Sequence, residues 1–175
     1  MDAPRKNRQS IRLKGFDYSL PGGYFVTICT HERARIFGRI VDRKMHLSRA
    51  GAVARDSWLK LPARFPTVIL QDFTVMPNHL HAILVLAHRL PSSKKGAASS
   101  APTKDSPAQP GLAKIMRAFK SVSAIEINRT LGRKNQPVWQ RNYYEHIIRF
   151  PGEYDKIRKY IYENPILWDH DPENI

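Results

Sequence analysis

The spacing of apolar and polar residues along the chain predicts an antiparallel sheet covered by helices. Short runs that alternate, or that are fully apolar, predict strands, and runs with a period near 3.6 predict helices. In chain order these are strand 24–30, a hairpin over 36–47 that turns near 42–44, helix 48–61, strands 67–75 and 79–86, helix 112–131, a short strand within 137–149, and helix 151–164. This order is typical of an α+β fold, and a ferredoxin-like or split βαβ arrangement fits it best.

The length of 175 residues suits a single domain with less regular segments around it. Residues 1–14 are rich in arginine and lysine and are interpreted as a basic N-terminal arm, and residues 15–168 as the domain itself. Inside the domain, residues 90–111 are mostly Pro, Gly, Ser and Ala, which is typical of a flexible linker insertion. Residues 169–175 are interpreted as a tail.

The two longer predicted helices each carry an apolar face at helical spacing. The residues expected to be buried are Ala50, Val53, Ala54, Ser57 and Leu61 in the first helix, and Leu112, Ile115, Met116, Phe119 and Val122 in the second. Lys114, Arg117 and Lys120 form a separate basic stripe on the second helix. A basic stripe is often only a solvated face, but the charge of this chain favours contacts with phosphate.

The strand at 79–86 carries two histidines, His79 and His81, separated by one leucine. Side chains at i and i+2 of a strand point to the same face, with Cα atoms roughly 7 Å apart, so the two imidazoles can converge on one divalent ion. Leu80, Ala82 and Leu84 are expected on the opposite face. The pattern taken alone is equally compatible with a hydrogen-bonded structural pair, because single histidines on strands are usually structural.

The charge of the chain indicates a polyanionic partner. Lysine and arginine number 29 against 15 acidic residues, which gives a formal net charge of +14. Tyrosines and Trp139 lie among these cations in the last third of the chain, and aromatic faces stack on unpaired bases while cations hold phosphates. Binding to a membrane surface is disfavoured, because no helix pairs a basic face with a strongly apolar one.

The single cysteine, Cys29, excludes an internal disulfide and fits a reducing compartment. No apolar run reaches the length of a membrane span, and the basic N-terminus lacks the apolar core of a signal peptide. We therefore expect a cytoplasmic protein.

The last predicted helix carries Tyr160 and Asn164, which are four residues apart and so lie on one face. They can be ordinary residues, a tyrosine in the core stripe and an asparagine at the helix end. Together with His79 and His81, however, they also fit a metal-dependent catalytic site. A tyrosine can attack a phosphodiester when a metal ion polarises the phosphate.

Three segments of the chain resemble the single-tyrosine HUH transposases, and in particular their REP-associated tyrosine transposase branch. They are Met76-Pro77-Asn78-His79-Leu80-His81, the block from Trp139 to Arg149, and Tyr160-Ile161-Tyr162-Glu163-Asn164-Pro165. Gly22-Gly23-Tyr24-Phe25-Val26-Thr27 also resembles the first strand of that branch. The resemblance spans roughly residues 10–168 without the linker.

The resemblance implies a ferredoxin-like fold, a Mg²⁺ or Mn²⁺ ion, and cleavage of single-stranded DNA next to hairpins through a 5′-phosphotyrosine intermediate. By motif position, Tyr160 matches the nucleophile, and His79, His81 and Asn164 match the metal site. Relatives from insertion sequences usually have glutamine where this chain has Asn164, which favours the REP-associated branch. Four cations are further candidates for DNA contacts: Lys114, Arg117, Lys120 and Arg141.

Two other functions fit parts of the pattern. A hairpin DNA- or RNA-binding module without catalysis would keep the fold and the basic surface. A zinc hydrolase would use His79, His81 and His88, although His88 belongs to the opposite alternation of the strand. The sequence also leaves open whether the protein is a monomer or a homodimer, and whether Tyr160 serves its own chain.

Overall fold

The computed structural model describes residues 17–18, 20–88 and 110–174, so the proposed arm and most of the proposed linker lie outside the described residues. In this part of the chain the elements are β1 (Gly22–Cys29), β2 (Gly38–Val41), β3 (Lys44–Leu47), α1 (Arg49–Leu59), α2 (Leu61–Arg64), β4 (Val68–Val75), β5 (His79–Leu86), α3 (Leu112–Thr130), β6 (Tyr144–Ile148) and α4 (Pro151–Glu163). Short 3₁₀ turns lie at His31–Arg33 and Trp168–His170. None of the helices in the described ranges is both long and apolar enough to cross a lipid bilayer.

Four of the strands form one antiparallel sheet in the order β4-β5-β1-β6, and β2 pairs with β3 in a separate hairpin. With α1 between β1 and β4, and α3 between β5 and β6, the sheet has the βαββαβ connectivity of ferredoxin-like folds. The α+β class and the ferredoxin-like arrangement predicted from the sequence are thus confirmed. Strand β1 lies between β5 and β6, which places residues of all three strands side by side.

Each face of the sheet has its own apolar core. On one face, α1 and α3 cover alternate residues of the central strands, among them Val26, Ile28, Leu80, Ala82 and Leu84. On the other face, Phe25 and Ile83 pack against Ile161 of α4. The period-two pattern therefore assigned Leu80, Ala82 and Leu84 to the correct face, opposite α4.

Local signals define the first helix and the hairpin as predicted. The Ser48 side chain accepts a hydrogen bond from the backbone N–H of Gly51 at 3.1 Å, and so caps α1. Asp42 and Arg43 connect β2 to β3 with φ angles of 50° and 59°. Positive φ at both central residues is the geometry of a tight two-residue hairpin turn.

The buried face of α3 differs from the prediction at one position. Val122 is 39% exposed, whereas Ser123 is fully buried and accepts a hydrogen bond from Trp139 Nε1 at 2.9 Å. Trp139 also packs against Phe119, so the buried stripe continues four residues after Phe119 rather than three. On α1, the prediction omitted Trp58, which is fully buried with its ring edge-on to Phe119.

Candidate active site

Strand β5 brings the two histidines together on the sheet face that α4 covers. In the antiparallel register His79 lies opposite Cys29 and His81 lies opposite Thr27, so both are supported by the central strand β1. Both histidines are buried, and their ring centroids are 4.3 Å apart. The imidazoles converge as the i, i+2 spacing predicted.

The hydrogen bonds around His79 leave one ring nitrogen free for a ligand. Asn78 Nδ2 donates to the backbone carbonyl of Glu173 at 2.7 Å, which turns the Asn78 Oδ1 acceptor towards His79 Nδ1 at 2.8 Å. Since Oδ1 can only accept, the ring proton is assigned to Nδ1. His79 Nε2 is then an unprotonated lone-pair donor, and it is buried without a hydrogen-bond partner in the described chain.

His81 connects the sheet to the candidate nucleophile. Its Nδ1 lies 2.8 Å from Thr27 Oγ1, and its Nε2 lies 3.1 Å from the Tyr160 hydroxyl. If Tyr160 donates to Nε2, the ring proton is on Nδ1 and is donated to Thr27. Each histidine therefore has its outer nitrogen held by a polar side chain and directs its Nε2 inward, which is how metal-binding histidines are commonly oriented.

Tyr160 on α4 and Asn164, the residue directly after that helix, lie one turn apart on the face that meets the histidines. Tyr160 is 37% exposed, whereas Asn164 is buried. Asn164 Nδ2 donates to Asp171 Oδ2, which leaves Asn164 Oδ1 as an acceptor with no hydrogen-bond partner in the described chain.

Asp171 belongs to the cluster and was not predicted from the sequence. Besides the bond from Asn164, its Oδ2 lies 3.5 Å from the Tyr160 hydroxyl and 3.9 Å from His81 Nε2. Its Oδ1 accepts from the backbone N–H of Glu173 at 2.6 Å. It lies in the segment interpreted as a tail, which folds back onto the site after α4. The only sequence signal was an acidic residue close to Trp168, which is too common to be specific.

Burial and charge set the protonation states of the cluster. Burial lowers the pKa of both histidines, and for His79 the neighbouring His81 lowers it further, so both rings are neutral. Burial alone would raise the pKa of Asp171, but interactions with His81 and Asn164 hold it below its usual value. Burial, followed by the charge of Asp171, raises the pKa of Tyr160 to about 12. The site thus combines two neutral imidazoles, one carboxylate and one protonated phenol.

The donor set fits a divalent metal ion. One cluster among the described residues brings together side chains of the types that bind metals, with one nitrogen or oxygen atom from each within 4.8 Å of the others. Its members are His79, His81 and Asp171. The partnerless His79 Nε2 and Asn164 Oδ1 add to this argument, because buried polar atoms normally have partners. His88, the third ligand of the zinc-hydrolase alternative, is not part of the cluster.

The four cations predicted to contact DNA lie on α3 and on the segment that leads into β6, and none of them is a member of the His79, His81 and Asp171 cluster. Lys114 and Arg117 are exposed on α3, which covers the sheet face opposite α4. Lys120 donates to the backbone carbonyls of residues 140–142, so its ammonium group already has three acceptors. Arg141 is exposed on the segment that leads into β6. Their contacts with DNA stay predictions, and Lys120 would have to release carbonyls to bind a phosphate.

The fold and the site define an α+β protein with ferredoxin-like topology and a buried His, Asn and Asp group beside a tyrosine hydroxyl. No protein-family model matches the chain. An uncharacterized protein of Haemophilus influenzae is 38% identical to this chain in an alignment 174 positions long, which covers 94% of this chain and 92% of that protein. The chain belongs to the same family.

Among solved structures, a REP-associated tyrosine transposase bound to a REP hairpin is similar to this chain. The match has a TM-score of 0.56 at 21% identity and covers 89% of this chain and 73% of the other. At the level of the fold, this likeness confirms the resemblance to tyrosine transposases that the sequence motifs indicated.

Proposed function

We propose that the protein is a metal-dependent endonuclease and strand transferase that acts on single-stranded DNA next to hairpins. The observation that carries this proposal is the position of the Tyr160 hydroxyl, 3.1 Å from His81 Nε2 and beside a buried group of lone-pair donors. A phenol in that position is a nucleophile next to a cation site. A purely structural role for Tyr160 would leave unexplained why two buried atoms beside it, His79 Nε2 and Asn164 Oδ1, have no hydrogen-bond partner in the described chain.

His79 Nε2, His81 Nε2 and Asn164 Oδ1 would hold the ion, with the Asp171 carboxylate adjoining them. Imidazole and oxygen ligands suit Mn²⁺, and Mg²⁺ is the expected alternative. When bound, the ion supplies positive charge that stabilises the phosphate oxygens in the transition state. His81 Nε2 has one lone pair, so it would either accept from the Tyr160 hydroxyl, as it does in this structure, or hold the ion.

Tyr160 would then attack the scissile phosphorus. Its oxygen forms the new P–O bond, the bond from phosphorus to the 3′ oxygen breaks, and that oxygen takes a proton from water to leave a 3′-hydroxyl. With a pKa of about 12 the phenol keeps its proton at neutral pH, so attack needs an acceptor. Asp171 Oδ2, 3.5 Å away, is the acceptor at hand. A second 3′-hydroxyl reverses the step without ATP, because the phosphotyrosine link conserves the bond energy.

The substrate follows from the charge of the chain and from its structural neighbour. A net charge of +14 favours a nucleic acid, and the similar transposase is bound to a REP hairpin. The tyrosines and Trp139 among the cations in the last third of the chain favour a single strand, because aromatic rings stack on unpaired bases. We therefore propose hairpin DNA with a single-stranded flank as the substrate.

The experiment is a covalent-adduct assay with a labelled hairpin that carries a single-stranded flank, in the presence of Mn²⁺. We expect the wild-type protein and Tyr162→Phe to form an adduct that survives denaturation, and Tyr160→Phe to form none while it still binds the hairpin. Tyr162 is the matched control, because it lies two residues away and is 80% exposed. Binding without any adduct in the wild-type protein would instead favour a hairpin-binding module.

A further inference from the structure

The open edge of the sheet carries an aromatic side chain in line with the candidate active site. In the register of the three strands, Tyr144 of β6 lies opposite Thr27 of β1, and Thr27 lies opposite His81 of β5. Strand β6 is at the end of the strand order, so Tyr144 stands on the outer edge of the described sheet. It shares the α4 face with His81, because residues paired across a sheet point the same way.

Ring contacts connect Tyr144 to the site through Phe25. The Phe25 ring stacks on His81 with a centroid distance of 5.5 Å, and it meets the edges of Tyr160 and Tyr144, each at 6.2 Å. Phe25 is buried, whereas Tyr144 is 44% exposed. Tyr144 is thus the solvent-facing end of an aromatic row whose other end is the candidate nucleophile.

A role in packing alone does not account for Tyr144. Its contact with Phe25 uses one edge and leaves much of the ring accessible, and in the described chain its hydroxyl has no hydrogen-bond partner. Arg141, three residues earlier in the segment that leads into β6, is also exposed. An exposed aromatic ring near a cation is the combination that binds single strands, where bases stack and cations hold phosphates.

We propose that Tyr144 is the stacking platform for an unpaired base next to the phosphate that Tyr160 attacks. This inference rests on the proposed function and names its substrate more closely: the nucleotide beside the scissile phosphate is single-stranded and is held by its flat face. Stacking tolerates every base, so Tyr144 positions the strand without reading its sequence. A base pair inside a duplex cannot use the platform, because both of its faces are already stacked on neighbouring pairs.

The test uses a hairpin whose flank carries 2-aminopurine at one position at a time, bound to Tyr160→Phe so that no cleavage occurs. We expect fluorescence quenching at one flank position, and we expect this quenching to be lost when Tyr144→Ala is added. The same substitution should weaken the affinity for the hairpin about 10-fold, as the loss of one stacked base typically does. Tyr144→Phe and Tyr144→Trp should retain both signals. Tyr162→Ala, which removes another exposed tyrosine, should change neither.

Unchanged affinity and quenching with Tyr144→Ala would overturn the platform. A loss of affinity and quenching that also occurs in Tyr144→Phe and Tyr144→Trp would overturn it as well. So would a loss that accompanies a lower melting temperature and weakens binding to duplex equally, because both results indicate a structural role for Tyr144. Adduct formation by the wild-type protein is measured in parallel. An adduct without any Tyr144 effect rejects the platform alone, whereas absence of the adduct rejects the proposed function.

Discussion

Two buried atoms with free lone pairs, His79 Nε2 and Asn164 Oδ1, have no hydrogen-bond partner in the described chain, and this observation supports the proposed ion site most directly. We expect Mn²⁺ binding, measured by calorimetric titration, to be lost in His79→Ala and in His81→Ala. The exposed His88→Ala is the control and should bind as the wild type does. Because both histidines are buried, thermal unfolding checks that each variant is folded. Unchanged Mn²⁺ affinity in both variants would contradict the metal assignment.

Asn78 allows a finer test, because it orients His79 without being a ligand itself. Its Oδ1 fixes the ring proton of His79 on Nδ1. Replacing such a supporting residue typically weakens metal affinity about 10- to 100-fold. We expect Asn78→Ala to weaken the affinity for Mn²⁺ by a factor in that range in the same calorimetric titration, although His79 and His81 are both still present. An affinity within twofold of the wild type would show that the Asn78 hydrogen bond does not prepare His79 for a metal.

At the scale of the elements, the position of α4 is decisive for the proposed activity, because this helix carries Tyr160. Its first turn is held by Glu153, which accepts from the backbone N–H of Arg149 at 2.8 Å and pairs with His146 of β6 at 2.6 Å. The hydrogen bond from Arg149, and then that from His146, lower the pKa of Glu153 below its usual value of 4.5. A lowered carboxyl pKa stabilises the folded state above that value, and the stabilisation is lost as the pH falls through the pKa in the folded state.

We therefore expect Glu153→Gln to be less stable than the wild type at pH 7, and the difference to shrink as the pH is lowered below about 4.5. Chemical unfolding at a series of pH values measures it. Asp155→Asn, an exposed acid on the same helix, is the control and should show little difference at any pH. A Glu153→Gln difference that stays constant from pH 7 to pH 3 would mean that the charge of Glu153 does not hold α4 in place.

The elements also show what the sequence could predict. Strand β5 and helix α4 have simple periods, and those periods alone put His79 with His81 and Tyr160 with Asn164. Asp171 could not be found in this way, because its place depends on the path of a non-periodic segment after α4. The exposure of Val122 could not be predicted either, because it depends on a contact with another segment of the chain. The indole N–H of Trp139 donates to the Ser123 hydroxyl, and this contact buries Ser123 in place of Val122.

At the scale of the whole molecule, the net charge of +14 determines the salt dependence that the proposed DNA binding should have. Each phosphate neutralised releases counterions, so the logarithm of the affinity should fall linearly with the logarithm of the salt concentration, with a slope of about −0.7 per phosphate for a single strand. We expect a slope steeper than about −3 for a hairpin with a single-stranded flank, and weaker binding to a duplex of equal length at every salt concentration. Equal affinity for both DNAs would leave only nonspecific attraction.

The identity of the residue that becomes linked to DNA tests the central claim most directly. After reaction with the flanked hairpin and digestion of the DNA, trypsin cleavage following Lys159 leaves Tyr160 and Tyr162 in one peptide, residues 160–175, so fragmentation in the mass spectrometer must separate them. We predict a nucleotide mass on Tyr160, present only with Mn²⁺ or Mg²⁺ and absent in His81→Ala. A nucleotide on Tyr162 or on any other residue, or no modified peptide from protein that binds the hairpin, would contradict the account.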